Sequence, residues 1–206
     1  MVSTIVEGWP SGQWQQTVNL PTYVYVGSNP TPSTTFIIIH VNQPLDVKIT
    51  IRLAHSATDI SSVAVLFSVY ADSLDITLSY QGFDAELASL PGNYASPRGA
   101  LLLAEIDGTI CGCVAMRPTP DEGICEMKRL YVASNFRGLG IGQMLADAII
   151  ICAQQAGYTR IRLDTLPSMH HAIRLYEGLG FYRIEAYYDT PIAGTVFMEK
   201  QLAEAA

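Results

Sequence analysis

The run Leu130-Tyr131-Val132, a short loop, and then Arg137-Gly138-Leu139-Gly140-Ile141-Gly142 limit what this chain can fold into more than any other part of it. A β-rich run feeds a glycine-rich turn. The turn opens a helix whose Ile141, Met144, Leu145, Ala148, Ile149 and Cys152 share one face before Gly157 stops it. Strand, glycine turn and helix in that order make an anion site: glycines let the backbone approach, N–H groups converge, and the helix N-terminus adds partial positive charge. The spacing of Gly138, Gly140 and Gly142 is not the dinucleotide fingerprint, and no Lys-Ser/Thr pair of a P-loop follows. Taken alone, glycines at a helix start are more often a structural turn than a ligand cradle, so the surrounding pattern must decide.

That pattern is regular from Ile49 onward. Ile49, Ile51 and Leu53 alternate as a strand, and Ser56 or Thr58 caps a helix striped by Val63, Leu66, Phe67 and Tyr70. A second helix is expected near Asp84–Leu90, stopped by Pro91 and Gly92. Ala100–Ile106 and Thr109–Met116 read as a hairpin turning at Asp107-Gly108, followed by a strand over Cys125–Val132. A further strand over Arg160–Asp164, a helix capped by Ser168, and strands near Phe181–Tyr188 and Thr195–Gln201 complete a mixed α/β domain.

The 206 residues fall into unequal parts. Residues 1–47 carry only Glu7 and Asp46 as charges, with no Lys or Arg before Lys48, so they are neither a secretory nor a transit leader. They read as an extension, poorly ordered or mis-assigned from upstream, with docking on the domain as the alternative. One apolar run there, Thr35–Val41, has the composition of a strand. Residues 48–203 are the domain and 204–206 a short tail. A net charge of −7 argues against a nucleic-acid or anionic-membrane surface, and no apolar run approaches bilayer length. Four cysteines without a CxxC pair and four histidines without zinc spacing point to no metal and to a reduced, cytoplasmic, soluble protein.

The order Leu130-Tyr131-Val132, Arg137-x-x-Gly140-x-Gly142 and Leu175-Tyr176-Glu177-x-Leu179-Gly180-Phe181 resembles the GCN5-related N-acetyltransferase superfamily over about residues 49–203. The resemblance implies an acyl-CoA N-acyltransferase fold, with a mixed, splayed central sheet flanked by helices. It implies acetyl-CoA as co-substrate, with Arg137, Gly138, Leu139, Gly140, Ile141 and Gly142 around the pyrophosphate and Leu130 and Val132 offering backbone groups to the pantetheine arm. A negatively charged protein holds such an anion through local donors.

The implied reaction moves an acetyl group to an amine by direct attack. A lysine-like amine of pKa about 10.4 is neutral in only about one molecule in 10³ at pH 7, so its proton needs an acceptor. Glu126 is the first candidate by resemblance; the alternative is a carboxylate paired with Lys128 or a nearby arginine. Asp164 is the second, against a plain polar strand end. Tyr176 holds the position where the superfamily commonly keeps a tyrosine to protonate the departing thiolate, against simple core packing. Met169 stands where many members carry an asparagine for the cofactor arm, a departure that puts one contact in doubt; His170 is a substitute donor, against a solvent-facing pair at His170 and His171.

Acceptor choice is expected from residues 56–98 and the strand after Phe181. Tyr70, Asp72, Asp75, Tyr80, Asp84, Glu86 and Tyr94, with Tyr187, Tyr188 and Asp189, suit an ammonium-bearing substrate, although a solvated acidic face explains the acids at least as well. A small-molecule amine or amino acid leads; a protein N-terminus or lysine, and a silent acetyl-CoA-binding module, are the alternatives. A homodimer is common in similar proteins.

Overall fold

The computed structural model describes residues 36–37 and 48–203, so the expectations for the rest of residues 1–47 and for 204–206 lie outside the described residues. Eight strands form one sheet in the order β1-β2-β3-β4-β5-β6-β8-β7. They are β1 (Phe36–Ile37), β2 (Ile49–Leu53), β3 (Ala100–Ile106), β4 (Thr109–Pro118), β5 (Ile124–Val132), β6 (Arg160–Thr165), β7 (Tyr182–Ile184) and β8 (Val196–Gln201). All neighbours are antiparallel except β5 and β6, which the crossover helix makes parallel. Of the expected strand over Thr35–Val41, Phe36–Ile37 is described and pairs with Arg52 and Ile51 of β2.

Helices cover both faces: α1 (Ala57–Asp72) and the short α2 (Phe83–Ala88) on one side, α3 (Ile141–Gln155) and α4 (His170–Gly178) on the other. Strand alternation sorts the core accordingly. Cys111 joins the α3-side cluster with Leu102, Met116, Leu145 and Ile149, whereas Cys113 faces α1 with Leu103, Val63 and Phe67. Each fully buried aliphatic or aromatic side chain of this kind contributes roughly 1.5–3 kcal/mol. Ser56 caps α1 in a reciprocal capping box with Asp59, whose carboxylate also takes Arg52 at 2.7 Å and so ties the helix start to β2. The Asp107-Gly108 turn has φ of 47° and 81°, the left-handed pair a two-residue hairpin requires.

Two expectations change. Ser168 does not cap α4: the turn Leu166–Met169 makes Met169 the N-cap, and its thioether, a weak acceptor facing the Thr165 hydroxyl at 3.5 Å, forms no cap bond. The strand after Phe181 ends at Ile184 and does not reach Tyr188, since the chain leaves the sheet to pack Tyr187 and Tyr188 against Phe197. No helix among the described residues is long and apolar enough to cross a membrane.

Candidate active site

The site is built where β5 and β6 part. They are paired only from Ile124 to Glu126 against Arg160 to Arg162, so from Met127 to Val132 the edge of β5 that faces β6 has no strand partner. The register of β4 against β5 slips between Cys113 and Ala115, which admits one extra residue in β5. Arg129 is that irregularity, with φ of 58°. The bulge breaks alternation, so Glu126, Lys128 and Arg129 come together on the α1 side of the sheet while Met127, Leu130 and Val132 pack on the α3 side.

At the mouth of the opening, Gly138 and Gly140 have φ of 83° and 77° and lead into α3. Residues 137–140 are exposed, and the first turn of α3 carries neither an acidic residue nor a side-chain cap. Its leading N–H groups are therefore free for an anion. A Cβ at Gly138 would meet nothing within 4 Å, and one at Gly142 would point between Val132 of β5 and Leu175 of α4. The Arg137 Nε donates to the Val132 carbonyl at 3.0 Å, locking the loop back onto β5. Turn, uncapped helix end and unpaired strand edge thus adjoin one another, and their free donors suit an anion such as a pyrophosphate with an extended arm along the strand.

Tyr176 sits on α4 beside this opening. Its ring belongs to the α3-side core and lies 5.8 Å from Phe181, centroid to centroid. Burial, with Tyr70 and Asp164 close by, pushes its pKa well above the ordinary tyrosine range. Its hydroxyl therefore stays protonated at neutral pH and faces groups that belong to the opposite side of the sheet.

The two candidate carboxylates are held in one buried network with three cations: Lys128, expected as a partner of Glu126, and Arg117 and Arg129, which the sequence did not single out. Glu126 Oε2 accepts from Arg117 Nε at 2.9 Å and Nη2 at 2.7 Å, and its Oε1 accepts from the Tyr187 hydroxyl at 2.8 Å. Lys128 Nζ lies 3.7 Å from Glu126 and 2.7 Å from Asp164 Oδ1. Both the lysine and the arginine pairing foreseen for Glu126 are thus present. Burial would raise the pKa of Asp164, but Lys128 outweighs it and holds the carboxyl below its usual range. Next to this pair, Arg129 spans both oxygens of Glu86 at 2.9 and 2.8 Å. Burial works against that ion pair, yet the bidentate contact keeps Glu86 low and Arg129 high.

Gln81, in the 3-10 turn Ser79–Gln81 between α1 and α2, closes the arrangement. Its Nε2 lies 3.1 Å from the Tyr80 hydroxyl, 3.2 Å from the Tyr188 hydroxyl and 3.4 Å from Asp164 Oδ2, and its Oε1 accepts from Arg129 Nη1 at 3.0 Å. Gln81 gave no signal in the sequence. Lys128-Arg129 did: two adjacent charges inside an apolar strand mark a break in alternation. Of the acids expected near the acceptor, Glu86 turns inward, whereas Asp72, Asp75, Asp84 and Asp189 stay exposed. His170 and His171 are exposed as well, and no cluster of metal-ligating side chains occurs among the described residues.

Known proteins resemble this chain in sequence and in fold. The model of the acetyltransferase (GNAT) family matches residues 68–181. An uncharacterized N-acetyltransferase of Schizosaccharomyces pombe is 38% identical over 147 residues, which cover 71% of this chain and 90% of the relative. N-acetylaspartate synthetase of Danio rerio is 31% identical over 128 residues, 61% of this chain and 45% of that one. In fold, a GNAT-family acetyltransferase of Staphylococcus aureus aligns with a TM-score of 0.62 at 21% identity, over 75% of this chain and 99% of the other. A Salmonella typhimurium protein solved with its cofactor acetyl-CoA gives 0.57 at 21% identity, over 77% and 96%.

Proposed function

Because this chain belongs to the GNAT acetyltransferase family, and is thereby an acetyl-transferring enzyme that uses acetyl-CoA, we propose that its acceptor is the primary amine of a small molecule or free amino acid, attacked directly. The observation that carries the small acceptor is Gln81: its side chain crosses from the α1–α2 segment to Asp164 and Tyr188, so the acceptor side is roofed. A small amine needs only the Gln81 side chain to swing aside, whereas a chain terminus or lysine of a folded protein would have to displace the α1–α2 segment that carries it. A relative named N-acetylaspartate synthetase supports an amino acid among the acceptors.

Bound acetyl-CoA supplies an acetyl thioester, whose carbon–sulfur bond breaks as the nitrogen–carbon bond of the new amide forms. An ammonium acceptor gives up two protons in all. One replaces the proton that Tyr176 Oη hands to the sulfur, and the other leaves through a carboxylate to solvent. Asp164 is the better placed of the two carboxylates for that exit. Its Oδ2 meets only the long Gln81 contact, whereas both oxygens of Glu126 are engaged by Arg117 and Tyr187. Held ionised by Lys128, Asp164 attracts the ammonium and passes a proton on without keeping it. Glu126 then keeps Lys128, Arg117 and Tyr187 in place. Gly138, Gly140 and the α3 N-terminus hold the pyrophosphate, and Leu130 and Val132 the pantetheine arm.

A panel of amines, amino acids and peptides assayed for thiol release from acetyl-CoA tests this. Turnover of small amines above peptides is expected. Turnover of peptides alone, or tight acetyl-CoA binding without thiol release for any acceptor, overturns it.

A further inference from the structure

The Gln81 carboxamide is surrounded by more acceptors than it can serve. Its orientation follows from its neighbours: Arg129 only donates, so it fixes Oε1, and the Asp164 carboxylate only accepts, so it fixes Nε2. The –NH₂ group has two hydrogens, yet three oxygens converge on it, those of Tyr80, Tyr188 and Asp164, at 3.1, 3.2 and 3.4 Å. A group with three hydrogens, an ammonium, matches that count better. On the other side, Arg129 spends Nε and Nη2 on Glu86 and has Nη1 for the Gln81 oxygen. A guanidinium nitrogen in a buried setting is better matched by a carboxylate than by an amide oxygen.

We propose that the place now held by the Gln81 carboxamide is the binding slot of a free α-amino acid, with Tyr80, Tyr188 and Asp164 around its ammonium and Arg129 Nη1 on its carboxylate. The inference rests on the small-acceptor reading above and narrows it. The carboxamide carries its nitrogen and oxygen on one carbon; an α-amino acid separates them by one carbon more and is the smallest zwitterion that spans the same partners. Asp164, shared between the slot and Lys128, also lies near Tyr176, so a nitrogen in the slot is close to the proton donor. Gln81 has somewhere to withdraw. With Gly82, Glu86, Tyr94 and Arg117 it lines a cavity of about 250 Å³. In the wall of that cavity the Tyr94 hydroxyl is buried without a hydrogen-bond partner. Gly82 follows at φ 70° with open space around its Cβ position, a hinge that lets the side chain before it turn.

The test pairs each amino acid with its decarboxylated amine: L-alanine with ethylamine, L-phenylalanine with phenethylamine, L-glutamate with 4-aminobutyrate. At least one amino acid is expected to exceed its amine by about 10- to 100-fold in kcat/KM, the span of a lost charged hydrogen bond. In Gln81→Ala the slot is vacated, so KM for that amino acid falls several-fold while the Kd for acetyl-CoA is unchanged. Arg129→Met removes the preference; should it fail to fold, the Gln81→Ala result decides alone. Calorimetry of the same amino acids with the intact protein keeps the two readings apart. Amino-acid binding that is tighter in Gln81→Ala, without turnover, upholds the slot and sinks the catalytic reading. Equal turnover of amine and amino acid, or a raised amino-acid KM in Gln81→Ala, overturns the slot and leaves the catalytic reading standing.

Discussion

Replacing Tyr176 by phenylalanine separates chemistry from folding. The ring keeps its place beside Phe181 at 5.8 Å, and among the described residues the hydroxyl is not one of the buried groups left without a partner. Its environment consists of burial, the neighbouring Tyr70 hydroxyl and the charge of Asp164, and none of these is a bond that the substitution breaks. The cost in stability should therefore stay below about 0.5 kcal/mol, less than a typical lost hydrogen bond. For a domain of this size that is a Tm change under about 2 °C. Proton donation to a leaving group is worth about 10²–10⁴-fold, and a thiolate needs the least help, so kcat is expected to fall about 10²-fold, or about 2.7 kcal/mol of barrier. The Kd for acetyl-CoA should move by less than a factor of about two, because cradle and strand edge are untouched. The raised pKa also fixes a sign: the folded form holds the Tyr176 proton more tightly than the unfolded chain, so the stability it contributes is present at neutral pH and lost only above about pH 10. The wild-type rate should then show no alkaline decline from Tyr176 below that pH. Thiol release, differential scanning calorimetry and acetyl-CoA titration on one preparation give all three quantities. A variant that keeps more than a third of the wild-type rate refutes the donor role, and a Tm loss above 5 °C refutes the idle hydroxyl.

Gly142→Val tests the cradle without backbone strain, since a Cβ there meets only Leu175 Cδ2 at 3.9 Å and Val132 Cγ2 at 4.0 Å. The fold should persist while acetyl-CoA affinity, measured by calorimetry, drops at least about 10-fold as the branched side chain fills the gap between β5 and α4. Gly140→Val is a poorer test, because at φ 77° it also strains the turn. Lys128→Met leaves Glu126 and Asp164 without their shared ammonium and should cost about 3–5 kcal/mol in urea unfolding at pH 7. In the wild type the lowered Asp164 pKa contributes stability that is lost as pH falls through it. In Lys128→Met burial is opposed only by the Tyr188 hydroxyl and the more distant Arg129, so the loss of stability on acidification should shrink relative to the wild type. Equal slopes in the two proteins would remove Lys128 from the account.

Periodicity and glycine placement were enough for the elements that matter most to cofactor binding. β-rich composition and the Asp107-Gly108 turn place Ala100–Ile106 and its hairpin partner, the 3.6-residue stripe places α3, and Gly138 and Gly140 mark the turn before it because only a residue without a Cβ enters left-handed φ freely. These are local properties, carried by neighbours along the chain. Ser168 and the strand after Phe181 differ for separate reasons: the local turn Leu166–Met169 moves the helix start on to Met169, and the Phe197 ring draws Tyr187 and Tyr188 off the sheet. The acceptor side was hidden for the second kind of reason, a tertiary one. Gln81, Arg117, Lys128, Arg129 and Asp164 are spread over 84 positions and meet only because β5 bulges at Arg129 and parts from β6 beyond Glu126. Charged residues with no helical or strand periodicity between them read as solvated surface until burial forces each to find a partner. The chain by itself determined the glycine turn into α3 and the succession of strands and helices along it, which rest on local geometry. The pairing of buried charges that shapes the acceptor slot was decided by tertiary structure alone, since a buried ion is stable only where distant segments supply its counter-charge.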